Sequence, residues 1–286
     1  NATGIVDAPL ASLWQEVQEE FSDQYSSKYR RCEAELGFDP DECPESLVED
    51  ALLLAEQMGD KTFSEIAPAC SKDISAAKPL SATITELIQE SGLDGKPEFS
   101  IDHSITQEIP KAPWQRANEV ASHLRNAIDI GENPVSDDQL YDLLGLQKSK
   151  CEAWNPPSRQ QISIAVPLDA ARFKFHLRKK HPIAKRFELA RFIGDYLLYG
   201  NNGASWLAST DLRTSRQKYQ RAFAAEFLCP LSSLQAYLGN DYSESAIEDA
   251  AEHFSVSSQT IESILANNGL ISSPQSASYL ESSLPY

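Results

Sequence analysis

The chain of 286 residues is marked first by what it lacks. It has no apolar run long enough to span a bilayer, and no signal peptide is visible. Its five cysteines are scattered and never stand in C-x-x-C spacing, which favours reduced thiols over a disulfide framework or a zinc knuckle. The G-x-x-x-x-G-K, G-x-S-x-G and G-x-G-x-x-G patterns of nucleotide-binding and hydrolase sites are also missing. We therefore expect a cytoplasmic protein without a membrane span.

Positive charge is scarce and unevenly distributed. The chain has 25 basic and 42 acidic residues, and its formal net charge is −17. No lysine or arginine occurs from Ala222 to Tyr286, so this part cannot gain affinity for nucleic acid by neutralising phosphates. Residues 172–191 are the exception, with eight basic residues: Arg172, Lys174, Arg178, Lys179, Lys180, Lys185, Arg186 and Arg191.

The beginning of this basic segment predicts a strand, because apolar and polar residues alternate strictly from Arg172 to Arg178. The polar face carries the candidate binding residues Arg172, Lys174, His176 and Arg178. The simplest interpretation is an edge strand whose charges prevent aggregation. Alternatively, the face docks an acidic surface of this chain or of a partner, or an extended peptide adds to the edge as a further strand. Contact with nucleic acid is the weakest interpretation, because the chain as a whole is acidic.

Other patterns predict an α+β fold that is mostly helical. The segment Gln161–Leu168 alternates and should form a strand, and Trp206–Ser209 should add another. We expect these strands to form a small sheet that packs against a helix over residues 185–198. A helical N-terminal region precedes this part of the chain.

The expected domain organisation has four parts. Residues 1–75 form a helical N-terminal region, 76–112 a linker or strap with a short helix at 83–90, 113–271 the main domain, and 272–286 a tail. Two apolar stripes at helical spacing support the first part. One contains Leu13, Val17 and Phe21, and the other contains Leu47, Ala51, Leu54, Ala55 and Met58.

From about Pro113 to Ile271 the chain resembles the ImmA/IrrE family of cytoplasmic bacterial metallopeptidases. The zinc helix of that family follows F-x-L-A-H-E-x-G-H-x-L-L, which this chain matches at Phe187, Leu189, Ala190, Gly194, Leu197 and Leu198. A later helix follows E-A-N-x-F-A-A-E-x-L-x-P, matched at Phe223, Ala224, Ala225, Glu226, Leu228 and Pro230. The segment Phe254–Ser257 is similar to the F-x-V-S of the family's helical tail. The resemblance implies a zincin-like fold.

The same resemblance implies that the zinc chemistry is lost. The places of the two zinc-binding histidines, the general base and the third ligand are held by Arg191, Asp195, Phe192 and Tyr219. A guanidinium cannot ligate zinc, and a phenyl ring cannot take a proton from water. Arg191 and Asp195 stand four residues apart on a helix, so we expect them to form an ion pair with each other.

The leading hypothesis is therefore a catalytically degenerate member of this fold that works as a protein-binding regulator or sensor. Active members are regarded as proteases that cut helix-turn-helix repressors, so the resemblance implies a repressor as candidate partner, in repressor or mobile-element control. No zinc and no other cofactor is expected. The alternative is a metallopeptidase or other hydrolase with a rearranged metal site, built from Asp195, Glu226 and a histidine. A third hypothesis is a nucleic-acid-associated protein that uses the basic segment.

Overall fold

The fold is mostly helical with one small antiparallel sheet, as predicted. The computed structural model describes residues 8–75, 78–99, 112–156, 160–199 and 205–272. The chain divides into two compact units, Asn1–Gln89 and Glu90–Tyr286. Among the described residues, no helix combines the length and the apolar character that crossing a membrane requires.

The described residues of the first unit are helical. The α-helices are α1 (Ala8–Ser22), α2 (Gln24–Leu36), α3 (Glu45–Met58), α4 (Asp60–Cys70) and α5 (Leu80–Gln89), and a 3-10 turn (Ser71–Asp73) follows α4. Gly37 ends α2 in the left-handed conformation, with φ of 87°. The stripe predicted for α3 is buried, and it consists of Leu47, Ala51, Leu54, Ala55 and Met58.

Helix α1 differs from α3, because its apolar stripe is exposed. Leu13 is 56% exposed and Val17 is 48% exposed. The side chain of Phe21, the third member of the predicted stripe, lies outside the described residues. Periodicity therefore predicts the helix correctly, whereas the apolar face has no cover among the described residues.

The sheet of the second unit has four antiparallel strands in the order β1-β3-β2-β4. They are β1 (Leu93–Gly95), β2 (Ser163–Pro167), β3 (Phe173–His176) and β4 (Leu207–Ser209). The strands predicted around residues 162–166, 173–177 and 206–209 are therefore confirmed. Within the predicted linker or strap, residues 93–95 form β1 and pair with β3. The rest of that segment from 100 to 111, and the tail from 273 to 286, lie outside the described residues.

Eight helices complete the described part of the second unit. They are α6 (Pro113–Ala127), α7 (Asp137–Leu144), α8 (Lys148–Glu152), α9 (Pro182–Tyr199), α10 (Ser215–Leu228), α11 (Leu231–Leu238), α12 (Glu244–Phe254) and α13 (Ser258–Asn267). Helix α9 contacts both α10 and β4, and α10 also contacts α6. One apolar core joins these helices to one face of the sheet through Phe175, Phe192 and Phe223. The helix that carries Arg191 and Asp195 is therefore central to the fold.

Helices α9 and α10 approach closely at Gly194. A Cβ atom built on Gly194 would lie 2.8 Å from two ring atoms of Phe223. Real Cβ atoms do not come that close to carbon, so only glycine permits this helix spacing without a shift. The close approach brings the polar residues at the start of α10 within reach of α9 and β4.

Candidate functional site

Asp195 is the central hydrogen-bond acceptor of the candidate site. Its side chain is fully buried on α9. The Arg216 guanidinium, from α10, donates to it through Nε–Oδ1 at 2.7 Å and through Nη2–Oδ2 at 2.6 Å. The backbone N–H of Ala208 also donates to Asp195 Oδ2, at 3.1 Å. The predicted ion pair between Arg191 and Asp195 is therefore wrong, because a fork-shaped partner from another helix occupies both carboxylate oxygens.

Arg191 bonds to the backbone directly after β4. Its Nη2 donates to the carbonyl oxygen of Thr210 at 2.7 Å and also to Oε1 of Gln217. Burial lowers the pKa of the Arg191 guanidinium to about 10. The group is still protonated at neutral pH, so a buried cation stands where the resemblance places a zinc-binding histidine.

The other two positions that the resemblance singles out are aromatic and belong to the core. Phe192 is fully buried and meets the Phe175 ring edge-on, with the ring centroids 5.4 Å apart. Tyr219 is 3% exposed and stacks on Phe223 at 6.4 Å. Burial raises the pKa of the Tyr219 phenol, and its hydroxyl has no hydrogen-bond partner among the described residues. Neither side chain is placed to move a proton to or from a substrate.

Side chains of α9 and α10 satisfy the backbone hydrogen-bonding groups along the outer edge of β4, and we call this the sealed edge. The backbone carbonyls of Trp206, Ala208 and Thr210 and the N–H groups of Ala208 and Thr210 are all bonded by side chains rather than by another strand. Gln217 is the main linker, because its Oε1 accepts from the Thr210 N–H at 3.0 Å while its Nε2 donates to the Ala208 carbonyl at 3.1 Å. Gln220 donates to the same Ala208 carbonyl at 2.9 Å. An incoming peptide would find no free backbone groups at these positions.

A second ion pair, between the buried Arg178 and the exposed Asp211, lies beside this edge. Arg178 donates to Asp211 from Nη1 at 2.8 Å and from Nη2 at 2.7 Å. Its Nε donates to Glu188 of α9 at 3.2 Å. The hydrogen bond from Arg178 lowers the pKa of Asp211, so this carboxylate stays ionised. The Arg178 side chain is only 4% exposed, and its charge is used inside the protein.

The four predicted binding residues do not form one exposed face. Arg172 is exposed and pairs with Asp169 at 2.6 Å, and Lys174 is half-buried. His176 is 1% exposed, and neither of its ring nitrogens has a partner among the described residues. Burial, assisted by the charge of Lys174, lowers the pKa of His176 to about 4. The predicted basic edge is wrong, because β3 pairs with β1 on one side and with β2 on the other.

The residues do not fit a zinc ion at the place that the resemblance implies. Of the four positions only Asp195 offers a carboxylate, and both of its oxygens already accept hydrogen bonds. Tyr219 offers a phenol oxygen, but burial raises its pKa and so disfavours the phenolate that would bind a metal. Glu226 accepts the Leu231 N–H at 3.4 Å and does not complete a donor set. In the part of the chain that the structure describes, no three His, Cys, Asp or Glu side chains form a group that could hold a metal ion.

Sequence reasoning missed three residues that build this site: Arg216, Gln217 and Gln220. They stand in the polar N-terminal half of α10, whose composition is typical of a solvent-facing surface. A helical pattern reports neighbours on the same helix, so it contains no signal that Arg216 is the partner of Asp195.

Comparison with protein-family models, with curated proteins and with solved structures finds no significant match.

Proposed function

We propose that the chain is a non-catalytic protein of peptidase-like fold that acts by binding another protein. The observation that carries the proposal is the use of Asp195 and Arg191 inside the fold. Both side chains are at most 5% exposed, and both bond to β4 or to α10. Groups that are committed in this way cannot bind a metal or activate a water without dismantling the strand edge.

The state of the cysteines supports a place in the cytosol, and the resemblance supports a regulatory role there. All five cysteines are buried and free, which suits a reducing compartment. From the resemblance, the candidate partner is a helix-turn-helix repressor of the kind that active ImmA/IrrE peptidases cut. Binding without cleavage would make the chain a sensor or regulator of such a repressor, in repressor or mobile-element control.

Metal content is the first test of the proposal. The protein is purified without a metal-chelating tag, washed with a mild chelator, and its zinc is measured by mass spectrometry. We expect zinc far below one equivalent, no rise in melting temperature when zinc is added, and no cleavage of an unfolded protein such as casein. The matched control is Asp195→Asn, which removes the only carboxylate of the degenerate motif.

Two results would overturn the proposal. One is stoichiometric zinc that disappears in Asp195→Asn, which would establish the alternative of a rearranged metal site. The other is casein cleavage that a chelator abolishes. An equal and low zinc content in both proteins supports the non-catalytic assignment.

A further inference from the structure

The positive charge of the chain is concentrated around the candidate site. Residues 178–221 contain ten of the 25 basic residues but only three acidic ones, Glu188, Asp195 and Asp211. Ten basic and three acidic residues give this segment a formal charge of +7, which leaves −24 for the rest of the chain. Such a separation produces a local field that differs in sign from the field of the whole protein.

Six of these ten cations are used inside the fold. Arg221 donates to the Leu212 carbonyl at 2.9 Å, and the other five are buried. The buried group donates to carboxylates, carbonyls or an amide of the second unit, and it consists of Arg178, Lys185, Arg186, Arg191 and Arg216. Four others lie at or near the surface, and we name them the basic patch: Lys179, Lys180, Arg213 and Lys218.

The ion pair of Arg178 with Asp211 holds the basic patch together. Lys179 and Lys180 directly follow Arg178, and Arg213 stands two residues after Asp211. Lys179 is close enough to Asp211 to help lower the pKa of that carboxylate. Lys218 lies in the first turn of α10, which begins just after Arg213. The 2.7 Å and 2.8 Å hydrogen bonds between Arg178 and Asp211 therefore join the two segments that carry the patch.

The patch residues differ from three exposed lysines elsewhere in the chain, and they share with the isolated Lys72 and Lys150 the lack of an ion pair with a described residue. Lys78, Lys96 and Lys148 each form an ion pair with a nearby carboxylate at 2.8–2.9 Å. By contrast, none of the four patch side chains has a hydrogen bond or ion pair with another described residue. Asp211, on which the charge of Lys179 acts, is already bonded twice by Arg178. The chain as a whole is acidic, yet the four cations of the basic patch have no carboxylate partner among the described residues. Their positive charge is therefore available to a ligand.

We propose that the basic patch binds an acidic segment of a protein partner. A short segment with a few carboxylates can pair with four cations without approaching the acidic remainder of the chain. A nucleic acid is longer and uniformly charged, and the formal charge of −24 on the rest of the chain repels it. The inference rests on the proposed function in one respect, namely that the chain acts by binding protein, and it specifies the chemistry of the partner.

Fluorescence anisotropy with a labelled octa-glutamate peptide tests this inference on the full chain. The test variant is Lys180→Glu/Lys218→Glu, and the control is Lys72→Glu/Lys150→Glu, which makes the same charge change at exposed lysines outside the patch. We expect the wild-type protein to bind octa-glutamate and to show no measurable binding of octa-glutamine. Affinity should fall about tenfold between 50 and 200 mM salt, as expected for exposed charges. The test variant should lose about tenfold or more, and the control less than about twofold.

Three results would overturn the inference. The first is equal, weak binding of octa-glutamate and octa-glutamine, and the second is an equal loss in the test and control variants. The third is displacement of octa-glutamate by a short DNA duplex at a lower concentration than by unlabelled octa-glutamate, which would assign the patch to nucleic acid. None of these results depends on zinc content, so a failure here is distinguishable from a failure of the non-catalytic assignment.

Discussion

The buried site beneath β4 and the basic patch draw on the same stretch of positively charged chain but use it in opposite ways. In the buried site, Arg191 and Arg216 bond only to groups of their own fold. In the patch, Lys179 and Lys180 bond to no described residue, although they directly follow the buried Arg178. The comparison teaches that a run of basic residues is not a surface property by itself. Each cation becomes structural or available according to the acceptors that the fold brings to it.

The largest expected effect comes from removing one partner of the buried ion pair. Asp195→Ala leaves the Arg216 guanidinium buried without its carboxylate, which costs about 3–5 kcal/mol in the free energy of unfolding. Urea denaturation followed by circular dichroism measures the loss. The control is Asp169→Ala, because Asp169 and Arg172 form an exposed ion pair, and the loss of an exposed pair destabilises a protein far less.

A double substitution sharpens this result. Asp195→Leu/Arg216→Met removes both charges together, so it should cost clearly less than Asp195→Ala despite changing more atoms. If Asp195→Ala were no more destabilising than Asp169→Ala, the ion pair would not hold α9, α10 and β4 together.

Gly194→Ala should have the next largest effect. The new methyl group would lie 2.8 Å from the Phe223 ring, so α9 and α10 must separate or the ring must move, at about 1–3 kcal/mol. Thermal unfolding measures this. Phe223→Leu provides the check, because in its presence the added methyl should cost less than in the wild-type protein. Additive losses would show that the ring does not set the helix spacing.

Acid should destabilise the protein through His176. Its folded-state pKa of about 4 lies below the unfolded value of 6.5, so the unfolded chain takes up a proton first as the pH falls. The stability conferred by the neutral imidazole is thus complete above about pH 6.5 and is lost progressively towards pH 4. Between pH 6.5 and pH 4 we expect the free energy of unfolding to fall by roughly 1–2 kcal/mol. This figure is smaller than the full pKa shift would give, because solvent screens part of the charge.

The measurement is urea denaturation at several pH values for wild type and for His176→Gln. The variant should have a flatter pH profile between 6.5 and 4. A profile that is unchanged by the substitution would mean that carboxylates alone cause the acid sensitivity.

The smallest expected effect tests the other side of the comparison. Lys180→Glu/Lys218→Glu should change the free energy of unfolding by no more than about 0.5 kcal/mol, because both side chains are exposed and lack internal partners. The same urea measurement applies. A loss above about 2 kcal/mol would show that the patch belongs to the structure, as the buried site does.

Strict alternation made two of the four strands predictable from sequence, and the short segment at Trp206 indicated a third. Ile162, Ile164 and Val166 mark β2 in the way that Phe173 and Phe175 mark β3. The position of β3 inside the sheet was not predictable, because its partner β1 is the three-residue segment Leu93–Gly95, too short to carry a period. The edge interpretation of the basic strand failed for that reason.

The candidate site was predictable only in part. The resemblance identified Arg191, Phe192, Asp195 and Tyr219 as the altered positions, and all four lie on the two central helices. Their partners could not be predicted, because Asp195 bonds to a residue 21 positions away on another helix and to the backbone of a strand. Helical spacing favours the i, i+4 neighbour, which is why Arg191 was wrongly chosen as the partner of Asp195.

The sealed edge of β4 also affects the tendency of the protein to aggregate. An open strand edge is a template for aggregation, and here its protection comes from side chains of α9 and α10. Local opening of α10 would release the backbone groups of Ala208 and Thr210 at the same moment. Resistance to aggregation therefore depends on the docking of one helix, and substitutions that loosen α10 should reduce solubility before they unfold the rest of the chain.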